Sequence, residues 1–196
     1  MSPILEAATA VGPYPADLAR EVTCRDGVRV RMRPIRPEDA PRLQALHARL
    51  SRTTIYQRFL GATPRLPTPW ARFLAEVDYR GRLALVLERG PDADPELIGV
   101  GRYEPTAEPD TAEVAFVIED RWQGKGLGTM LFTALLTAAR DRGIHRFRAD
   151  VLADNRRMLD LITRFTCVDS RETRDAITSL IFSLPPAGPT TRTKGA

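Results

Sequence analysis

Apolar and polar side chains alternate regularly over several short stretches of the chain. Residues 28–33, Val-Arg-Val-Arg-Met-Arg, alternate strictly between apolar and basic side chains, which is typical of a strand with one buried face. Other short apolar runs are separated by segments rich in glycine, proline and aspartate, the residue types that favour turns. These patterns predict further strands at 83–87, 97–103, 112–118, 146–152 and 176–184.

Apolar residues recur at helical spacing between these strands. Pro37 and the two acids after it favour the start of a first helix, and short helices are predicted at 55–60 and 70–74. Residues 128–142 form an amphipathic pattern with arginines at its end, and a last helix is predicted at 155–165. The order strand, helices, three strands, helix, strand, helix and one or two strands predicts a mixed α/β sheet with helices on both faces.

Length and composition indicate one globular domain. The 196 residues suffice for one hydrophobic core, and 43% hydrophobic with 28% charged residues is a globular balance. No apolar run is long enough for a membrane span, and the start of the chain lacks a secretory pattern, so we expect a cytoplasmic protein with no membrane partner. Cys24, Cys167, His47 and His145 show no ligand spacing, so we expect no metal.

The two ends of the chain lack a regular pattern. Residues 1–24 carry prolines and no clear period, so we expect a loosely held N-terminal arm. Residues 185–196 are rich in proline, glycine and threonine, which predicts a disordered tail. The chemistry should therefore lie within 25–184. The net charge of +4 comes from scattered arginines, which suits a small phosphate-bearing ligand better than nucleic acid.

A glycine-rich loop joins the strand at 112–118 to the helix at 128–142. Three glycines occupy alternate positions from Gly124 to Gly128. The start of a helix presents unpaired N–H groups that bind phosphate, and glycines let the backbone approach it; Lys125 adds a positive charge. A phosphate site is therefore predicted here, with a ligand-free helix start as the alternative.

Two common phosphate-binding loops do not fit this segment. A Walker A loop needs Ser or Thr after its lysine, but Gly126 follows Lys125. A dinucleotide loop needs Gly or Ala at its third conserved position, where Thr129 stands.

The loop instead resembles the acyl-CoA loop of the GNAT superfamily of N-acetyltransferases, whose pattern is Q/R-x-x-G-x-G/A. Gln123, Gly126 and Gly128 match it, and the order of elements agrees over about 27–184. The resemblance implies a mostly antiparallel mixed sheet of six to seven strands, acetyl-CoA as co-substrate, and Gln123 at the cofactor. It also implies that backbone amides of the loop hold the CoA pyrophosphate, namely those of Gly124, Lys125, Gly126, Leu127, Gly128 and Thr129.

The strand before the loop should hold the rest of the cofactor. By the same resemblance, the main chain of Phe116, Val117 and Ile118 pairs with the pantetheine arm, and the strand is splayed from its neighbour, commonly by a bulge. A backbone N–H near Val117 is expected to polarise the thioester carbonyl. Asn155 resembles the strand-end asparagine of the family, which contacts the cofactor; a helix cap is its other reading.

The sequence departs from the family after Asn155. Ile162 stands where many members carry a tyrosine proposed as general acid, so a phenol is not expected at that position. Thr166 and Cys167 replace the usual Gly-Phe, and we expect Cys167 to be packed in the core.

Glu113 is the predicted catalytic base. An alkylammonium group with a pKa of about 10.4 is neutral in only about one molecule per thousand near neutral pH, and only the neutral amine attacks a thioester. Glu113 precedes Ile118 by five residues, or roughly 16 Å of extended strand, which brings it near the reactive end of a pantetheine arm. Lysine-acetylating GNAT members carry a glutamate at this place. A solvated strand glutamate is the alternative.

The acceptor is predicted from a second resemblance. Arg33-Pro34-Ile35-Arg36-Pro37 and the residues around Tyr56 and Phe59 resemble bacterial Pat-type enzymes, which acetylate lysines of acyl-CoA synthetases and related proteins. We therefore expect a protein lysine as acceptor. A small-amine N-acetyltransferase, acting on a polyamine, antibiotic or amino acid, and a non-catalytic CoA-binding module are the alternatives.

Overall fold

A computed structural model describes residues 11–91 and 94–185. It contains eight strands and five helices, with short 3-10 turns between some of them. The strands are β1 Arg20–Thr23, β2 Arg29–Pro34, β3 Leu83–Arg89, β4 Glu96–Pro105, β5 Thr111–Ile118, β6 Arg146–Leu152, β7 Cys167–Arg174 and β8 Ile177–Ser183. The helices are α1 Ala40–Arg49, α2 Arg52–Phe59, α3 Thr68–Ala75, α4 Leu127–Arg140 and α5 Arg156–Phe165.

The strands form one sheet in the order β1-β2-β3-β4-β5-β6-β8-β7. Only the pair β5 and β6 is parallel, and every other neighbouring pair is antiparallel. The predicted mixed, mostly antiparallel sheet is confirmed, with eight strands where six to seven were expected.

The strands that the sequence did not indicate clearly are the two edges of the sheet. β1 lies inside the segment predicted as a loose arm, and β7 carries no buried residue. Because both strands are mostly exposed, their sequences lack an apolar alternation. Cys167 opens β7 and is exposed, so the prediction of a packed core thiol is wrong. Residues 1–10 of the predicted arm and 186–196 of the predicted tail lie outside the described residues.

Helices cover both faces of the sheet, as two neighbouring residues of β4 demonstrate. A Cβ atom added at Gly101 would lie 3.1 Å from the side chain of Leu131 in α4. The next side chain, that of Arg102, donates a hydrogen bond to the carbonyl oxygen of Leu74 in α3 at 3.1 Å. Because successive residues of a strand face opposite sides, α4 and α3 lie on opposite faces of the sheet.

The core on the α4 face is built around aromatic rings. Phe132 of α4 packs against Phe116 and Phe182 with ring centroids 5.6 and 6.1 Å apart, and Phe182 stacks on Phe147. Full burial of each such side chain contributes about 2–3 kcal/mol to stability. These contacts fix α4, and therefore the loop that precedes it, against β5.

Candidate functional site

A cleft opens between β5 and β6. The two strands pair over three residues, Thr111–Glu113 with Arg146–Arg148, and then diverge. Beyond Glu113 they enclose one side of a cavity of about 310 Å³, which α2, α5 and the glycine loop complete. The splay expected from the family resemblance is therefore present, but the register between β4 and β5 runs without the expected bulge.

Most of the predicted cofactor-binding residues meet at this cavity. It is lined by Phe116, Val117, Ile118, Gln123, Gly124, Gly126, Gly128, Thr129 and Asn155. Lys125, Leu127 and Glu113 are not among the lining residues; Leu127 is buried, and Glu113 is exposed at the closed end. Arg25, Arg58 and Arg157 line the cavity although the sequence did not indicate them.

The main-chain groups of β5 alternate between the cleft and β4. The Glu119 N–H donates to the Ile98 carbonyl oxygen of β4 at 2.9 Å, and the register continues without a shift. By antiparallel alternation, the N–H of Val117 also points to β4, whereas those of Phe116 and Ile118 point into the cleft. The N–H of Val117 is therefore paired with β4. The N–H groups that face the cleft belong to its neighbours, Phe116 and Ile118.

The glycine loop brings unpaired amides to the mouth of the cleft. Gly124 and Gly126 have φ angles of 76° and 87°, a region in which a side chain would be strained. Gly126 is the residue before α4, and no side chain caps the helix there. The first amides of α4 are therefore left for another acceptor, as in anion-binding helix starts.

Lys125 is held away from the cavity. Its Nζ lies 2.5 Å from Asp26 Oδ2 and sits over the Trp122 ring at 5.2 Å. This hydrogen bond lowers the pKa of Asp26. The sequence predicted Lys125 as the cation at the phosphates. In the structure its side chain instead pairs with Asp26, in the turn between β1 and β2.

Arginines from two distant segments take the place of Lys125 at the cavity. The Arg25 N–H donates to the Lys125 carbonyl oxygen at 3.0 Å, and its side chain lies against Gly126. Arg157, in the first turn of α5, lies 3.4 Å from Gln123 Oε1. Both arginines reach the loop through tertiary packing, so no local sequence pattern could have identified them.

Gln123 and Asn155 brace the two sides of the cleft. Gln123 Nε2 donates to the Ile118 carbonyl oxygen at 3.0 Å, which ties the loop to β5. Asn155 Oδ1 accepts the Met158 N–H at 3.2 Å and thereby caps α5. Asn155 is therefore the helix cap that the sequence allowed, and it also lines the cavity, so contact with the cofactor stays a prediction.

Glu113 lies at the closed end of the cleft. It is the last residue of β5 that pairs with β6, opposite Arg148, and on the other side it faces Glu104 of β4. Glu104 is bound by Arg82 at 2.5 Å and by Arg102. Since opposite residues in antiparallel strands share a face, Glu113 lies on the face of the sheet that α3 covers.

Arg58 of α2 is a half-buried cation near this end of the cleft. It lines the cavity with Val114 and lies over the Phe59 ring at 5.0 Å. Burial lowers the pKa of the Arg58 guanidinium to about 10, and the nearby carboxylates of Glu113 and Glu104 act in the opposite direction.

Two further features bear on the chemistry of the site. Ile162 lies on the buried side of α5, so the position of the family tyrosine offers no proton donor. The described residues contain no group of three or more His, Cys, Asp or Glu side chains placed to hold a metal ion.

Within ranges 11–91 and 94–185, no helix is long and apolar enough to cross a membrane.

Comparisons with known proteins agree with this geometry. Residues 29–167 match the family model described as an acetyltransferase (GNAT) domain. The chain is 32% identical to an acetyltransferase of Pseudomonas aeruginosa over 151 residues, which are 77% of this chain and 81% of that protein. It is 35% identical to the acetyltransferase Pat of Mycolicibacterium smegmatis over 153 residues, again 77% of this chain, but it spans only 45% of the length of that protein.

A solved structure gives the same result. The GNAT domain of S. lividans PAT superposes with a TM-score of 0.79 at 33% identity, covering 87% of this chain and 99% of that domain. The chain therefore belongs to the GNAT family of acetyl-CoA-dependent N-acetyltransferases and is similar to its Pat-type members.

Proposed function

We propose that this chain transfers the acetyl group of acetyl-CoA to the side-chain amine of a protein lysine, with Glu113 as general base. The observation that supports this most directly is the place of Glu113, at the residue where β5 and β6 cease to pair. The cofactor enters between the diverging strands, so its reactive end lies at the closed end of the cleft, beside Glu113.

The cofactor would be held mainly by backbone groups. The pyrophosphate accepts hydrogen bonds from the amides of Gly124, Lys125, Gly126, Leu127, Gly128 and Thr129. Arg25 and Arg157 supply positive charge for the phosphates. The pantetheine arm pairs with the main chain of Phe116 and Ile118, packs on the Val117 side chain, and meets Gln123 and Asn155 at the walls of the cleft.

Glu113 would act by removing the proton that keeps the acceptor amine inactive. The lysine ammonium first gives one proton to the Glu113 carboxylate, and the neutral nitrogen then attacks the thioester carbon. As the C–S bond breaks, the CoA thiolate leaves and takes up the second proton, which the nitrogen releases when the amide forms. The Phe116 N–H, which points into the cleft by strand alternation, would donate to the developing oxyanion, a role expected from the sequence near Val117. Thiols such as that of cysteine, with a pKa of about 8.5, ionise far more readily than alkylammonium groups, so the CoA thiolate can leave without a proton from a tyrosine at the position of Ile162.

The charge around Glu113 supports a protein lysine over a polyamine. A polyamine site needs several carboxylates, but residues 51–75, which cover this side of the sheet, contain four arginines and no Asp or Glu. Of the two carboxylates at the closed end, Glu104 is already bound by Arg82 and Arg102. The Pat-type relatives support the same acceptor class, and an acyl-CoA synthetase is the first candidate.

The unit that carries this activity is proposed to extend from β1 to β8, Arg20–Ser183, since β1 completes the sheet and its turn positions Arg25. A non-catalytic CoA-binding module would be favoured only if Glu113 lay away from the cleft, and it lies at the closed end.

The test is thiol release from acetyl-CoA with a panel of acceptors. The panel holds an acyl-CoA synthetase, the same protein with its reactive lysine changed to arginine, a polyamine and free amino acids. Turnover with the synthetase that the lysine change abolishes supports the proposal. Turnover only with the small amines would replace the protein acceptor by the small-amine alternative, and no turnover with any acceptor would favour the CoA-binding module.

A further inference from the structure

Arg58 of α2 is a cation inside the cavity without a partner in the described chain. It is half-buried, lines the cavity and lies over the Phe59 ring at 5.0 Å. Within ranges 11–91 and 94–185, no carboxylate lies within 4.0 Å of its guanidinium group, whereas the buried Arg33 and Arg102 are both paired. Removing a cation from water costs free energy unless an anion compensates it. We therefore expect a negatively charged ligand group beside Arg58.

The direction of α2 brings Arg58 toward the closed end of the cleft. The helix begins at the mouth, where Ser51 and Thr54 donate hydrogen bonds to Asp120 at 2.6 and 2.8 Å. Gln123 Nε2, beside the glycine loop, donates to Thr54 Oγ1 at 3.4 Å. Arg58 follows Thr54 by four residues, so it lies on the same side of the helix and about 6 Å further along it.

The far end of α2 meets the residues that surround Glu113. Phe59 packs on Trp70 of α3, with ring centroids 5.5 Å apart. The end of α3 accepts a hydrogen bond from Arg102, which also binds Glu104, the cross-strand partner of Glu113. α2 therefore runs from the glycine loop to the end of the cleft where the proposed function places the acyl group.

The closed end of the cleft carries an excess of positive charge. Arg58 is close enough to Glu113 and Glu104 for both carboxylates to oppose the lowering of its pKa by burial. Glu104 is already bound by Arg82 and Arg102. Glu113 must stay free to accept a proton, so it is not available as a permanent partner. Three guanidinium groups thus lie near two carboxylates, and one positive charge is left for a ligand.

Neither the phosphates nor the acetyl group of acetyl-CoA accounts for this charge. The proposed function places the phosphates at the other end of the cleft, beside Arg25 and Arg157. An acetyl group ends in a methyl, which offers a guanidinium group no acceptor. A carboxylate at the end of an acyl chain accepts two parallel hydrogen bonds from a guanidinium group, the arrangement that arginine favours.

We infer that Arg58 selects acyl-CoA donors whose acyl chain ends in a carboxylate, such as malonyl-CoA and succinyl-CoA, so that the chain uses this donor class besides acetyl-CoA. The inference rests on the proposed function, which places the acyl group beside Glu113. The bonds that react are the same as for acetyl transfer. The amine nitrogen bonds to the thioester carbon, the C–S bond breaks, the CoA thiolate leaves, and the distal carboxylate takes no part.

Binding of matched donors tests this inference without any acceptor. Malonyl-CoA is compared with isovaleryl-CoA, and succinyl-CoA with isocaproyl-CoA, because an isopropyl group replaces the carboxylate in each pair at nearly equal size. Isothermal titration of the wild type should give a Kd at least about tenfold lower for the charged member of one pair or both, the effect of a charge-assisted hydrogen bond. Equal Kd values within both pairs, or tighter binding of the neutral members, would overturn the inference.

Two variants locate the preference on the molecule. Arg58→Met should abolish the preference for the charged member, because no guanidinium group then meets the distal carboxylate. Arg157→Met, at the phosphate end, should weaken both members of a pair by the same factor and leave the preference intact. A preference that survives in Arg58→Met, or that Arg157→Met also removes, would contradict the role of Arg58. The comparison within the wild type remains decisive if either variant fails to fold.

Transfer assays separate the donor from the acceptor. With a protein lysine that the wild type acetylates, kcat/KM for the charged donor should exceed that for its neutral match by at least about tenfold. If the charged donors bind as expected but no protein lysine reacts, the proposed acceptor fails and the donor inference stands. If Arg58→Met loses acetyl transfer and the wild type shows no preference within either pair, the inference fails, and Arg58 acts on the developing oxyanion instead.

Discussion

Glu113 lies directly opposite Glu104 in the ladder between β4 and β5, on the same face of the sheet. Two adjacent carboxylates on one face repel each other unless cations compensate them. Here Arg82 and the buried Arg102 both bind Glu104, whereas no cation of the described chain lies within 4.0 Å of Glu113. The arginines thus neutralise the structural carboxylate and leave the proposed catalytic one open to a substrate.

Replacing Arg102 should therefore destabilise the fold. Arg102→Met leaves the partly buried Glu104 with one cation in place of two, and loss of a hydrogen bond between charged groups costs about 2 kcal/mol in unfolding free energy. Urea unfolding measures this loss. The matched variant Arg148→Met removes an exposed arginine from the strand on the other side of Glu113 and should cost under about 1 kcal/mol. Equal effects of the two variants would show that Arg102 does not compensate Glu104.

Affinity for acetyl-CoA should depend on Arg25 more than on Lys125. Arg25 lines the cavity, whereas Lys125 is paired with Asp26. Arg25→Gln should raise the Kd for acetyl-CoA about tenfold, as expected for loss of a charge-assisted hydrogen bond to phosphate, and Lys125→Gln by under about threefold. Isothermal titration gives both values. A larger increase in Kd for Lys125→Gln than for Arg25→Gln would indicate that Lys125 binds the phosphates, as the sequence predicted.

The glycine loop should not tolerate a side chain at Gly126. Its φ of 87° costs an alanine about 1–2 kcal/mol, so Gly126→Ala should lower the unfolding free energy or displace the loop and weaken acetyl-CoA binding. Thermal unfolding with and without acetyl-CoA separates these two effects. Gly61→Ala is the control, because Gly61 lies outside the left-handed region and a Cβ there meets nothing closer than 3.8 Å. If Gly126→Ala behaves like that control, the loop does not need its left-handed turn.

His47 should make stability depend on pH. It is buried in α1 against Phe59, and burial lowers its pKa from the ordinary value, with the nearby backbone of Thr63 acting in the opposite direction. A histidine with a lowered pKa in the folded state binds fewer protons there than in the unfolded chain. Stability should therefore be constant above about pH 6.5 and fall as the pH drops from there through the folded pKa.

Urea unfolding between about pH 5 and pH 7 measures this dependence, since carboxylates contribute mainly below that window. His47→Gln should flatten the dependence, whereas His145→Gln, at an exposed position, should retain it. A slope that survives in His47→Gln would assign it to another group.

Periodicity predicted the interior of the fold and failed at its edges. β3 to β6 and α4 bury one face or both, so their apolar residues recur with the period of the element. β1 and β7 are edge strands that bury almost nothing, and a strand with no buried face has no alternation to detect. Cys167 was misplaced for the same reason, because the edge position of β7 was not visible in the sequence.

The candidate site likewise contains residues that could be predicted from local sequence and residues that could not. The segment from Phe116 to Thr129 is local in sequence, so strand, loop and helix could be identified together. Arg25, Arg58 and Arg157 lie in three separate elements, and only the packing of those elements brings them to the cavity. Lys125 shows the converse, because its charge was evident in the sequence but its partner Asp26 is distant along the chain.

The most direct test of the central claim measures acetyl transfer by Glu113→Gln to a protein or peptide lysine that the wild-type enzyme acetylates, together with the Kd of the same variant for acetyl-CoA. A general base at the closed end of the cleft predicts a loss of at least about a hundredfold in rate with an unchanged Kd, while the exposed control Glu21→Gln on β1 keeps the full rate. A Glu113→Gln enzyme that binds acetyl-CoA normally and transfers acetyl at the wild-type rate would contradict the claim.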